Sequence, residues 1–197
     1  MKKILVLASG RGSNFQALID ACKKSDIQGK IVALVSNNPH AEALNKAQQH
    51  DIPFFIVGAK NKSEYDEQLL TQCKTLNPDL IVLAGYMKIL SKKFIDTFHL
   101  KIINIHPSLL PAFAGLHAQK QALEYGSRIS GCTVHFVDHG VDTGPIILQT
   151  AVPVFPHDTV PDLETRILEK EHATLVQGVI LFCDDKLVVQ ERNVYIK

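Results

Sequence analysis

Asn104 and His106 stand two residues apart in Asn104-Ile105-His106-Pro107-Ser108-Leu109-Leu110-Pro111, at the carboxyl end of the apolar run 102–105. Strand alternation puts both side chains on one face of that run's end. An Asn amide donates hydrogen bonds without titrating, and an imidazole moves a proton near neutrality. Together they suit a carbonyl that passes through a tetrahedral oxyanion. The plainer alternative, a satisfied buried His beside a loop-capping Asn, stays open at this point. Asp142 lies in Asp138-His139-Gly140-Val141-Asp142-Thr143-Gly144-Pro145. An Asp from another segment can orient a His and favour its protonated form. A residue in such a Gly-bounded loop is also a good Asx-turn former. Thr133 and His135 read either as supports for this group or as the polar face of a half-exposed strand.

Two further positions can carry chemistry. In Ser9-Gly10-Arg11-Gly12-Ser13-Asn14 a strand hands over to a helix, and backbone N–H groups at a helix start hold anions, with glycine allowing close approach. Gly12, Ser13 and Asn14 are therefore candidate phosphate holders; the alternative is a tight turn with Ser13 or Asn14 as a side-chain N-cap. A dinucleotide is disfavoured, since GxGxxG needs a glycine where Phe15 stands, and Ser36-Asn37-Asn38 supplies no ribose-binding acid. Near the C-terminus the stripe Val160, Leu163, Ile167, Leu175, Val179, Phe182 has Glu171 where its period asks for an apolar residue. Either this carboxylate faces inward to meet an amine or cation, or the stripe drifts.

The elements that must position these residues are legible as rhythm. Apolar, β-branched runs at 4–8, 31–35, 54–57, 80–84 and 102–105 alternate with helical stretches at 14–24, 41–49, 63–76 and 91–98. Runs buried on both faces with helical crossovers between them predict an α/β fold: a Rossmann-like, mostly parallel open sheet with helices on both faces. Beyond 106 the prolines and Gly115 predict a long loop, then a helix over 116–125 stopped by Gly126. From 131 the period becomes two, and with 146–154 this predicts an antiparallel extension in the C-terminal half. A long helix capped by Asp158 or Thr159 runs to about 182, and 187–190 adds a terminal strand.

The chain has 197 residues, 46% hydrophobic and 21% charged, which fits one compact domain with an ordinary core. Twenty-one Lys and Arg against twenty Asp and Glu leave a charge of +1, so no broad positive field exists to hold nucleic acid. Four well-separated cysteines form no metal-ligand spacing, so no metal is expected and a reducing compartment fits. No segment suits a membrane span or signal peptide, so a cytoplasmic protein is expected.

The segments SGRGSN (9–14), LAGYMKIL (83–90), NIHPSLLP (104–111), GLHAQKQALEYG (115–126), CTVHFVDHGVDTGPIILQ (132–149), VPVF (152–155) and EKEHA (169–173) closely resemble the phosphoribosylglycinamide formyltransferase family of folate-dependent transformylases. The resemblance implies a single formyltransferase domain over 1–197, with a nucleotide and phosphate half at 1–100 and a catalytic, folate-binding half at 101–197. It implies 10-formyltetrahydrofolate as co-substrate and glycinamide ribonucleotide as acceptor, in a monomer or homodimer. Asn104, His106 and Asp142 become the catalytic trio, supported by Thr133 and His135, and Glu171 binds the substrate amine. Met87, Lys88, Ile89, Leu90, Asn104, Asp138, His139, Gly140 and Val141 line the folate site. Lys62 stands near where some relatives carry Arg for the folate glutamate tail, keeping the charge without the bidentate fork. The rival within the superfamily is formyl-tetrahydrofolate hydrolase, expected to carry an N-terminal regulatory domain where this chain opens directly on a strand. The rival of another class is a non-catalytic nucleotide-binding module.

Overall fold

The computed structural model describes residues 1–197. Along the chain run β1 (Lys2–Leu7), α1 (Ser13–Lys23), β2 (Gly29–Ser36), α2 (Glu42–Gln49), β3 (Phe54–Ile56), α3 (Lys62–Leu76), β4 (Leu80–Leu83), α4 (Lys92–Thr97) and β5 (Ile102–His106). They are followed by α5 (Ala118–Tyr125), β6 (Ile129–Phe136), β7 (Ile146–Pro153), α6 (Val160–Cys183), β8 (Leu187–Gln190) and β9 (Asn193–Ile196). Seven strands form one mostly parallel sheet in the order β3-β2-β1-β4-β5-β6-β7, and β8 and β9 form a separate hairpin. The chain divides into two compact units, Met1–Ile103 and Asn104–Lys197.

In the first unit β1 lies between β2 and β4 and is parallel to both. Ile4 through Ala8 have no solvent exposure, which is why this run is apolar at every position rather than at alternate ones. The strand order reverses beside β1, and in open α/β sheets the crevice beyond the carboxyl ends at such a switch point is where ligands bind. The loops leaving β1 and β4 meet there: the Ser9 N–H donates to the Gly85 carbonyl at 3.1 Å, and the Met87 N–H donates to Ser9 Oγ at 2.8 Å. Helix α3 turns Tyr65, Leu69 and Cys73 inward at four-residue spacing.

In the second unit β6 and β7 pair antiparallel, from Ile129 opposite Pro153 to His135 opposite Ile146. β6 thus starts two residues earlier than the period-two pattern suggests, because pairing continues to the end of β7. Thr133 and His135 are not on a half-exposed face: both are buried, at 0% and 2% exposure. Helix α6 covers β6 closely enough that a Cβ on Gly178 would stand 2.8 Å from Val134 Cγ1. Thr159, not Asp158, is its N-cap; the Thr159 N–H donates to the Asp162 carboxylate at 2.8 Å, completing a capping box. Asp158 instead forms a bidentate pair with Arg166 at 2.7 and 2.8 Å. The terminal strand at 187–190 exists and pairs antiparallel with a partner, β9, that the sequence reading did not place.

Candidate functional site

The turn after β1 is built from backbone. Gly12 sits in the left-handed region at φ +71°, and a Cβ there would come within 2.7 Å of Ala43 Cβ, so glycine is required on two grounds. Gly12 is itself the N-cap of α1, with no side-chain capping bond, so Ser13 and Asn14 are the first helical residues rather than caps. The first helical bond runs from the Gln16 N–H to the Gly12 carbonyl at 2.9 Å. The N–H groups of Ser13, Asn14 and Phe15 therefore lie ahead of it, at the positive end of the helix dipole. Such an array can hold an anion of phosphate size.

The second unit carries a partly buried polar cluster. His106, at the end of β5, places Nδ1 3.2 Å from Asp142 Oδ2, while its Nε2 lies 2.9 Å from the Phe113 carbonyl. Both ring nitrogens face oxygens that can only accept, an arrangement satisfied when both carry protons. Asn104, two residues earlier on the same face, donates from Nδ2 to Asp142 Oδ1 at 3.4 Å and lies 3.1 Å from His135 Nε2. His135 Nδ1 is 2.8 Å from the Phe136 carbonyl, so Nδ1 is the donor and Nε2 is free to accept from Asn104. Asp142 is the hub: the Gly115 N–H donates to Oδ2 at 2.9 Å, and His135 Nε2 stands 3.6 Å from Oδ1. Burial pushes its carboxyl upward, but the neighbouring His135 ring, the hydrogen bond from the Gly115 N–H and the charge of His106 outweigh it, and the group lies below the ordinary carboxylate value.

The Asx turn of the 138–145 loop belongs to Asp138, whose Oδ1 accepts from the Gly140 N–H at 3.0 Å and the Thr143 hydroxyl at 2.6 Å. This releases Asp142 to face the histidines. Thr133 supports the cluster at one remove. Its hydroxyl donates to the Ser108 carbonyl at 2.7 Å and accepts from the Leu110 N–H at 3.0 Å and Gln149 Nε2 at 2.9 Å. Those bonds fix the start of the loop whose later residues, Phe113 and Gly115, reach His106 and Asp142. Sequence reasoning had no signal for Gln149, nor for the Phe113 carbonyl and the Gly115 N–H as bonding groups of the cluster.

Glu171 faces inward on α6 at 8% exposure, and its charge reaches the Cys132 thiol, which burial first and that carboxylate next push upward. The stripe does not drift. In the first unit, Met87 and Ile89 are 70% and 73% exposed and Leu90 is buried. Lys62 pairs with Asp66 at 3.2 Å and donates to the Ile89 carbonyl at 3.3 Å. In the second unit Val141 is exposed and His139 and Gly140 share its loop. No group of three or more His, Cys, Asp or Glu side chains is placed to hold a metal ion, and no helix is long and apolar enough to cross a membrane.

A family model described as formyl transferase matches residues 2–179, and the chain belongs to that family. It is 44% identical over 199 residues to the phosphoribosylglycinamide formyltransferase of Haemophilus influenzae, covering 100% of this chain and 94% of that protein. It is 47% identical over 192 residues to the trifunctional purine biosynthetic protein adenosine-3 of Drosophila melanogaster; the match takes in 91% of this chain, which spans 14% of the fly protein. Among solved structures, glycinamide ribonucleotide transformylase 1 from Symbiobacterium toebii superposes with a TM-score of 0.97 at 43% identity, covering 100% of this chain and 94% of that one.

Proposed function

We propose that this protein transfers the formyl group of 10-formyltetrahydrofolate to the primary amine of 5'-phosphoribosylglycinamide, a step of purine biosynthesis. The observation that carries the reading is the convergence of Asn104, His106 and Asp142 in one partly buried hydrogen-bonded cluster within a formyl transferase chain. The amine nitrogen attacks the formyl carbon, and the carbonyl electron pair moves onto oxygen. Protonated His106 and the Asn104 amide stabilise that oxyanion; Asp142 keeps His106 charged and, through water, moves a proton from the attacking amine to N10. The carbonyl re-forms as the C–N10 bond breaks, releasing tetrahydrofolate.

In the geometry described, the His106 Nε2–H is spent on the Phe113 carbonyl and the Asn104 amide on His135 and Asp142. The reactive arrangement therefore requires Phe113 to release His106, and Asn104 to give up its longer bond, the one to Asp142. Gly12, Ser13 and Asn14 hold the substrate phosphate, and Glu171 meets its amine. Lys62, Met87, Lys88, Ile89, Leu90, Asn104, Asp138, His139, Gly140 and Val141 line the folate site, with Thr133 and His135 as supports. Residues 1–100 serve phosphate binding and 101–197 catalysis and folate binding, in one formyltransferase domain acting on small molecules in the cytoplasm, as a monomer or homodimer and without metal.

Folate absorbance followed with and without glycinamide ribonucleotide tests this directly. Deformylation that depends on the amine is expected; loss of formyl without it makes the protein a hydrolase, and no change makes it a binder.

A further inference from the structure

The loop between β4 and α4 exposes Met87 and Ile89 while forming no regular element of its own. Side chains from elsewhere hold it. The Tyr86 hydroxyl bonds the Tyr65 hydroxyl on α3, the Lys88 ammonium lies 5.8 Å from the Tyr65 ring centroid, and Lys62 reaches the Ile89 carbonyl at 3.3 Å. Lys62 and Tyr65 are three residues apart, so they share one face of α3 and grip the loop at both ends. Burial, then the Tyr65 hydroxyl, push the Tyr86 phenol well above its ordinary value, and burial also raises Tyr65.

We propose that Tyr65 is a positioning residue that latches residues 86–90 to α3 through the Tyr86 hydroxyl and Lys88, so that helix α3 sets the affinity for the heteroaromatic head of the folate. This rests on the reading of residues 87–90 as folate contacts. Lys62 adds a second tether, its ammonium paired with Asp66 and bonded to the Ile89 carbonyl. The hydroxyl pair also gives the latch a dissectable form. Phenylalanine at one position leaves the other hydroxyl without its partner, which is costly, whereas phenylalanine at both restores a matched apolar contact without the bond.

The test compares Tyr65→Phe, Tyr86→Phe and the double variant for Tm, for KM toward 10-formyltetrahydrofolate and toward glycinamide ribonucleotide, and for amide hydrogen exchange across 86–90. Each single variant should raise the folate KM roughly 3- to 10-fold, the worth of about one hydrogen bond. The amine-substrate KM should stay unchanged, and exchange across 86–90 should quicken. In the double variant Tm should recover toward the parent while the folate KM stays raised. A folate KM that is unchanged in the single variants, or that returns with Tm in the double, overturns the latch. Absence of amine-dependent turnover in the parent protein is a separate failure: it removes the functional reading and with it the ligand assigned here.

Discussion

The turn at Gly12 and the cluster around Asp142 are both polar sites at strand ends, yet they are made in opposite ways. The first is backbone: a left-handed glycine pressed against Ala43 and a helix start whose N–H groups point outward. The second is side chain: Asn104 and His106 from β5, His135 from β6, and Asp142 from a loop held by the Asp138 Asx turn. A backbone site should tolerate loss of its side chains and fail when its φ/ψ is disturbed. A side-chain network should fail with any one member, since each buried group left behind loses its partner.

The largest effect is therefore expected at the hub. Asp142→Asn should lower turnover by roughly 10² to 10⁴, the usual reach of positioned acid and base groups, while both ligands still bind. Steady-state kinetics beside ligand titration checks this; near-normal kcat in a folded variant removes Asp142 from the chemistry. The same residue has a stability signature. Its carboxyl is depressed in the folded protein, so the charged form contributes stability that is present above the ordinary value of 3.8 and is lost as pH falls below it through the folded value. Between about pH 5 and pH 3 the Tm of the Asn variant should accordingly fall less steeply than that of the parent.

Next comes Asn104→Ala, expected to cost roughly 10² to 10³ in kcat as an oxyanion donor is lost. A rise confined to the folate KM makes Asn104 a binding residue instead. At the turn, Gly12→Ala should raise the KM for glycinamide ribonucleotide roughly tenfold, about 1.4 kcal/mol, by forcing the chain out of the left-handed region and off Ala43, with kcat little changed. The smallest effect belongs to Ser13→Ala combined with Asn14→Ala, roughly two- to fivefold on the same KM, since only side-chain bonds are removed. If this double variant is worse than Gly12→Ala, the turn is a side-chain site after all and the contrast between the two regions disappears.

The same contrast explains what the sequence made legible. The parallel core was readable because the runs 4–8 and 80–83 are apolar at every position, which requires burial on both faces. The glycine turn was readable because its six residues are contiguous. Asn104 and His106 were readable as a pair because strand alternation is local. What could not be read was closure at long range. The histidine at 135 could be read as a support or as the polar face of a half-exposed strand because it alternates with Cys132, Val134 and Phe136 in a strand that is in fact buried on both faces. The carbonyl of Phe113 and the amide of Gly115 carry no side-chain signature, yet each completes a bond of the cluster. Asp138 and Asp142 flank the same turn, and sequence could not say which would fold back on the backbone. Glu171 was the favourable case, since a single carboxylate breaking an apolar stripe of known period declares its own position.

The most direct measurement follows the formyl carbon itself. With 10-formyltetrahydrofolate labelled at the formyl carbon, and glycinamide ribonucleotide in excess, the parent protein should deliver the label to the amine of the acceptor, one for each tetrahydrofolate released, and Asp142→Asn should do so at a small fraction of that rate. Label that appears as free formate, at a rate indifferent to the amine, would contradict the transfer reaction assigned to the Asn104, His106 and Asp142 cluster.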